Sequence, residues 1–212
     1  PSRAAELQKS IVRFHGIGLG KKFSHEEGRA VVLCRLNSDV KGGHSAIRVA
    51  LAKMLKTLLD KDIVPVIPEL GSVGASGDLT PLSYVAAVVM GEREAYYKGK
   101  IVPAIDALKA EGIAPLPLAA KEGLAIMNGT SVMTAVASLS WKRARRLANI
   151  CDFVTAATAE IVRGNEVPFG DEKSYGTDRK RGLYLRYRKK LEARVSIRRP
   201  ARTHRIHRRR AV

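Results

Sequence analysis

The sequence is poor in cysteine: only Cys34 and Cys151 occur in 212 residues, with no CxxC spacing. That excludes a disulfide framework and a cysteine-held zinc site, and it sets the expectation of a reducing, cytosolic compartment. Long apolar runs are lacking too. The longest, "VAAVVM" at 85–90, falls far short of the roughly 20 residues a membrane helix needs. The N-terminus lacks the charged-then-apolar order of a signal peptide, so no membrane partner or targeting segment is expected. An initiating methionine is missing as well, and Pro1 raises the expectation of a start internal to something longer.

What is present is 45% hydrophobic content, enough over this length for one sizeable domain with or without an appendage. The net charge of +18 would ordinarily suggest a nucleic-acid partner. Its distribution changes that meaning. Residues 171–212 hold sixteen Lys or Arg against four acidic side chains, a net +12, whereas the first 170 hold twenty-two against sixteen.

Helical periodicity dominates the body. A helix is expected from Ser2 to about His15, ended by Gly16, Gly18 and Gly20. Ser24 and Glu27 have capping-box spacing, which starts a second helix over about 25–37, closed by "KGG" at 41–43. A third covers about 45–60, with Ile47, Leu51, Met54, Leu55 and Leu58 on one face, and Pro65 and Pro68 beyond it. "EAYYKGKIVPA" at 94–104 is the one good β candidate, a hairpin turning at Lys98, Gly99 and Lys100. The longest helix follows "NGT" at 128–130 and runs to Arg163, before the natural C-cap residues Gly164 and Asn165. Its stripe of Val132, Val136, Leu139, Leu147, Ile150, Val154 and Ile161, interrupted by Arg143, demands other helices to pack against.

The chemistry is concentrated in "GSVGASGDLTPLSY" at 71–84. One reading is a Gly-rich turn before a helix, with Thr80 as N-cap and Pro81 at the first helical position. A phosphate cradle is disfavoured, since neither a Gly-Lys-Ser/Thr ending nor GxGxxG spacing is present. A third reading makes Ala75-Ser76-Gly77 a reagent. In a compressed tripeptide the Gly77 nitrogen can attack the Ala75 carbonyl carbon and close a five-membered ring; glycine permits the approach, and loss of the Ser76 hydroxyl leaves a methylidene.

With "LQKSIVRFHGIGLG" at 7–20, "IPELGSVGASGDLTPLSYVAAVVMGEREAYYKGK" at 67–100 and "KEGLAIMNGTSVMTA" at 121–135, in that order, the chain closely resembles the aromatic amino-acid ammonia-lyase and aminomutase superfamily. The resemblance spans about residues 7–165. It implies a mainly α fold, a helical part of the domain that carries the methylidene-imidazolone (MIO) group, with a short β-hairpin. It also implies MIO formation from Ala75, Ser76 and Gly77, an aromatic amino acid as substrate, a homotetramer and no metal. The implied activity is elimination of ammonia to an α,β-unsaturated acid, or return of the amine to the β-carbon in an aminomutase. Asn128 is implied at the substrate carboxylate or the MIO carbonyl, although a helix N-cap is an equal reading of that residue. Phe14 and His15 match the family's selectivity pair and Leu124 a ring-pocket residue; without the family, Phe14 and Leu124 read as core. Phe14 leans toward phenylalanine or tyrosine rather than histidine as substrate.

The resemblance also marks departures. The family's catalytic tyrosine base lies before the position where this chain starts, and the pattern expected after "RGN" gives way to "RGNEVPFGDEK". Two divisions are therefore expected, a partial MIO domain over 1–165 and a basic segment over 166–212 unlike the family. A shifted reading frame in a GC-rich gene is the expectation for that segment; coding DNA in which neither alternative frame restores the family pattern would end it. Negligible activity of the isolated chain is expected, and ring formation in it is put in question. His204 and His207 at i, i+3 lack an acidic or cysteine partner and read as part of a solvated tail. "YLRYRKK" at 184–190 interleaves tyrosines with basic residues, for which nonspecific attraction to nucleic-acid phosphates is expected rather than a specific site.

Overall fold

The computed structural model describes residues 3–73 and 76–162. The chain divides into two compact units, residues 1–141 and 142–212. The first contains α1 (Ala4–His15), β1 (Leu19–Lys22), α2 (His25–Gly42), α3 (Val49–Asp60), β2 (Val64–Pro65), β3 (Pro68–Leu70), α4 (Leu79–Val89), β4 (Glu94–Tyr97), β5 (Lys100–Pro103), α5 (Ala104–Ala110) and α6 (Glu122–Met127). α7 (Ser131–Ile161) begins in the first unit and supplies the described part of the second. The fold is mainly helical, as expected.

α4 is the centre of the first unit. Every residue from Thr80 to Val89 is buried, because a helix apolar on all sides can only be stable when surrounded. α1 and α6 pack on it. α2 starts at the capping box its sequence announces: the Ser24 hydroxyl accepts from the Glu27 amide at 3.3 Å, and the Glu27 carboxylate accepts from the Ser24 amide at 2.8 Å. It runs on to Gly42 and ends on left-handed Gly43.

The β structure exceeds the expected hairpin. β4 and β5 do turn at Lys98 and Gly99, both with positive φ as a two-residue hairpin loop requires, and β2 adds an edge strand in the order β2-β4-β5. A second antiparallel pair joins β1 to β3, with Leu19 opposite Leu70. The three proline-bearing strands sit where a missing amide donor is tolerated, β2 and β5 at the sheet edges and Pro68 at the first position of β3.

Glu122 ties the first unit together. It is buried at the start of α6, and its carboxylate accepts from the Arg48 amide and Nε at 2.9 Å each, from Arg48 Nη2 at 2.7 Å and from the Ala119 amide at 2.7 Å. Burial pushes this carboxyl up, but the hydrogen bonds from the Arg48 side chain and from the Ala119 and Arg48 amides, with the Arg48 charge, hold it below the usual carboxylate range. Its stabilisation is therefore complete above the unfolded-state value of about 4.3 and lost as pH falls through the lower folded value. Glu122→Gln should destabilise the chain at neutral pH, and the gap between variant and parent in urea unfolding should narrow below about pH 4. A gap that stays constant on acidification would refute this role.

In the second unit Leu147, Ile150, Val154 and Ile161 of the expected stripe are exposed. By length and composition alone, Glu122–Ala159 is apolar enough to cross a membrane, with mean hydropathy 1.2 in its best window. The chain breaks between α6 and α7 at 128–130, and Lys142, Arg143, Arg145 and Arg146 place four cations in α7, which argues against a span. The expected boundary at 165/166, the caps Gly164 and Asn165, the basic segment, His204, His207 and "YLRYRKK" lie outside the described residues.

Candidate active site

Three loops converge on the N-terminus of α4. The first follows His15: the Gly18 amide donates to the Tyr84 hydroxyl at 3.1 Å, and that hydroxyl and Arg93 Nη2 both donate to the Gly16 carbonyl oxygen, at 3.3 and 2.7 Å. The Arg93 guanidinium lies 4.4 Å from the centroid of the Tyr84 ring. Through the β1–β3 pair this loop runs beside the second, the glycine-rich stretch that leaves β3. The third is the connection from α6 to α7 at 128–130.

Asp78 fastens the second loop to the third. It is 3% exposed; one carboxylate oxygen accepts from Ser72 Oγ at 2.9 Å, and the other from the Val132 and Met133 amides at 2.8 and 3.2 Å. Asp78 therefore caps α7, whose first amides have no partner within their own helix. It is also the N-cap residue of α4, with Thr80 and Pro81 already inside the helix, so the expectation of Thr80 as N-cap is corrected. The local Thr-Pro signal loses to a carboxylate anchored 54 positions away.

Gly77 sits in this clasp at φ +79°, a left-handed conformation in which a side chain is strained. A Cβ there would lie 2.6 Å from the Gly129 nitrogen and 2.8 Å from its oxygen. The Asp78 amide donates to that same Gly129 oxygen at 2.7 Å. Ser76 is exposed. Ala75 lies outside the described residues.

Asn128 is exposed and extended as the C-cap residue of α6, not the N-cap of the following helix, which overturns the capping alternative. The core alternative for Phe14 and Leu124 is overturned as well, since they are 76% and 41% exposed. Phe14 meets the His15 ring edge-on at 5.3 Å, and His15 Nδ1 donates to the Ile11 carbonyl at 2.9 Å, which leaves Nε2 to face other groups. α1, carrying Phe14 and His15, packs on α6, carrying Leu124; the Gly123 amide donates to Gln8 Oε1 at 3.0 Å. Among the described residues no hydrogen bond joins Phe14, His15 or Leu124 to Ser76 or Gly77. A cleft of about 480 Å³ bordered by Lys9, Glu92 and Leu118, and a groove of about 420 Å³ between α2 and α3, include none of the expected site residues.

Missing from the sequence expectations was Arg35. It is 2% exposed in α2, donates from Nε to Asp39 at 3.2 Å and from Nη1 to the Asn128 carbonyl oxygen at 3.2 Å. An Arg-Asp pair at i, i+4 reads as a solvated helix face. The 128–130 loop lies against its guanidinium.

The family model for aromatic amino acid lyases matches residues 1–174. The chain belongs to the aromatic amino acid lyase family. This lyase-family chain is 48% identical over 159 residues to histidine ammonia-lyase of Geobacillus sp. (strain WCH70), covering 75% of this chain and 31% of that protein. It is 46% identical over 168 residues to the MIO-dependent tyrosine 2,3-aminomutase of Streptomyces globisporus, covering 79% and 31%. Among solved structures, the tyrosine aminomutase from Streptomyces globisporus superposes with TM-score 0.78 at 34% identity, over 97% of this chain and 42% of that one. The chain thus spans about a third of the length of the curated relatives it matches. A family shared by ammonia-lyases and aminomutases implies the MIO group, and left-handed Gly77, with no room for a Cβ beside an exposed Ser76, fits that requirement.

Proposed function

We propose that this chain is the MIO-forming part of an ammonia-lyase acting on an aromatic L-amino acid. The observation that carries the reading is Gly77, left-handed and pressed against Gly129 between exposed Ser76 and clasped Asp78. Ring closure joins the Gly77 nitrogen to the Ala75 carbonyl carbon; the Ala75 oxygen leaves as water with the Gly77 and Ser76 amide hydrogens. The Ser76 hydroxyl then leaves as a second water with its Cα hydrogen. Once formed, the MIO group supplies an electrophile for the substrate's α-amine, making nitrogen a better leaving group. In this reading Asn128 contacts the substrate carboxylate region or the MIO carbonyl, while Phe14, His15 and Leu124 form the surface that receives the ring. Histidine, phenylalanine and tyrosine remain the substrate candidates, with Phe14 favouring the last two. The aminomutase outcome is the second reading, supported by the likeness to the tyrosine aminomutase. Residues 1–165 form the family-like domain in this proposal, within a homotetramer.

The compressing parts, Asp78, Gly129 and α7, all belong to this chain, so ring closure is expected in it even where turnover requires further residues. Intact-mass measurement tests this. The purified chain should weigh two waters less than its sequence, and Ser76→Ala, which has no hydroxyl to lose, should never show the second water's loss. A parent at full sequence mass would overturn the proposal.

A further inference from the structure

We infer that Arg35 and Asp39 form a buried buttress that presses the Asn128–Gly129 peptide onto Gly77 and so sets the rate of ring closure. The inference rests on the proposed cyclisation of Ala75-Ser76-Gly77. Gly129 is held from two sides. A Cβ on it would stand 2.1 Å from Arg35 Nη1, while on its other side its nitrogen would lie 2.6 Å from a Cβ on Gly77. Arg35 cannot swing away. Its Nε and Nη2 grip the two Asp39 oxygens, Nη2 also donates to Ser38 Oγ at 3.3 Å, and Nη1 is spent on the Asn128 carbonyl.

Stability alone is a poor reason for this pair. Burying two charges costs several kcal/mol before their attraction is counted, and apolar replacements of similar volume are often neutral or better. What the guanidinium adds is a rigid planar fork that fixes a loop by its backbone. Placement within a fraction of an ångström matters for an intramolecular attack, where a misplacement of about 1 Å can slow the step about a hundredfold.

The test uses the full 212-residue chain. Three forms are compared: the parent, the doubly apolar Arg35→Met with Asp39→Leu, and Arg35→Lys, which keeps the charge but not the fork. After a pulse of synthesis, the two-water deficit should appear on the order of tenfold or more slowly in both variants. The double variant should keep the parent's helical circular dichroism and melt within a few degrees of it. Amide hydrogen exchange supplies a readout independent of the ring: the Asp78 amide, bonded to Gly129, should lose protection in the double variant while the α4 core keeps it. Parental deficit rates with unchanged Asp78 exchange overturn the inference. So does an Arg35→Lys chain that closes the ring at the parental rate when the double variant fails to fold. A parent that never loses water defeats the proposed function, and Asp78 exchange then decides the buttress alone, faster supporting it and unchanged overturning it.

Discussion

Replacing Gly77 with alanine is expected to slow the appearance of the two-water mass deficit about a hundredfold while leaving the chain folded. The new Cβ meets the nitrogen and oxygen of Gly129 at 2.6 and 2.8 Å, backbone atoms that cannot rotate aside. Gly129 cannot retreat, because Arg35 stands behind it. The left-handed φ of 79° adds roughly 1–2 kcal/mol of strain for any residue with a side chain. The tripeptide must therefore shift, and a displacement near 1 Å slows an intramolecular attack about a hundredfold. The damage is local, since neither Ser76 nor Gly77 belongs to the apolar core. Mass spectrometry beside a thermal melt checks both halves: a Gly77→Ala chain that reaches the parental deficit at the parental rate would show that the contact with Gly129 does not shape the reaction.

Asp78→Ala should be the most destabilising single change at the site. It removes the acceptor for Ser72 Oγ and for two amides at the start of α7, in a side chain almost wholly buried. Loss of a helix cap costs about 1 kcal/mol and each stranded buried donor about 1–3, so roughly 3 kcal/mol is expected. For a domain of this size that lowers the melting temperature by about 10 °C. Asp78→Asn keeps an acceptor but gives up its charge near the positive end of the α7 dipole, so it should recover about half of the loss. An Asp78→Asn variant that melts at the parent's temperature would show that the carboxylate's charge plays no part. The ring should form slowly in both, since the clasp that holds the Asp78 amide to Gly129 is weakened.

The capping box of α2 and the hairpin at Lys98 and Gly99 were legible in the sequence because each is a local arrangement. Their spacing alone determines what they can do. Thr80 misled for the same reason: Thr-Pro is a good local start signal, and the residue that takes the position is chosen by partners near 132. Arg35 and Asp39 were invisible as site components, because nothing in a helix with i, i+4 charges says that another loop will roof it. β1 and β3 escaped notice since each is short and exists only through pairing with the other. Phe14 and Leu124 are the reverse case. The family motif singled them out where periodicity would have buried them, and their exposure agrees with surface duties rather than with filling the core.

Under the proposed cyclisation, the clasp around Gly77 also makes the tripeptide a recorder of assembly. Gly18 reaches Tyr84 across 66 positions and Val132 reaches Asp78 across 54, so none of the pressure on Gly77 exists until distant parts of the chain have met. A nascent or misassembled chain therefore holds an ordinary, inert Ala-Ser-Gly sequence. Loss of two waters is irreversible under such conditions, whereas folding is not. A molecule that later unfolds would still carry the ring as a covalent receipt of having once been native, and the mass of a denatured sample would count every chain that ever reached the folded state.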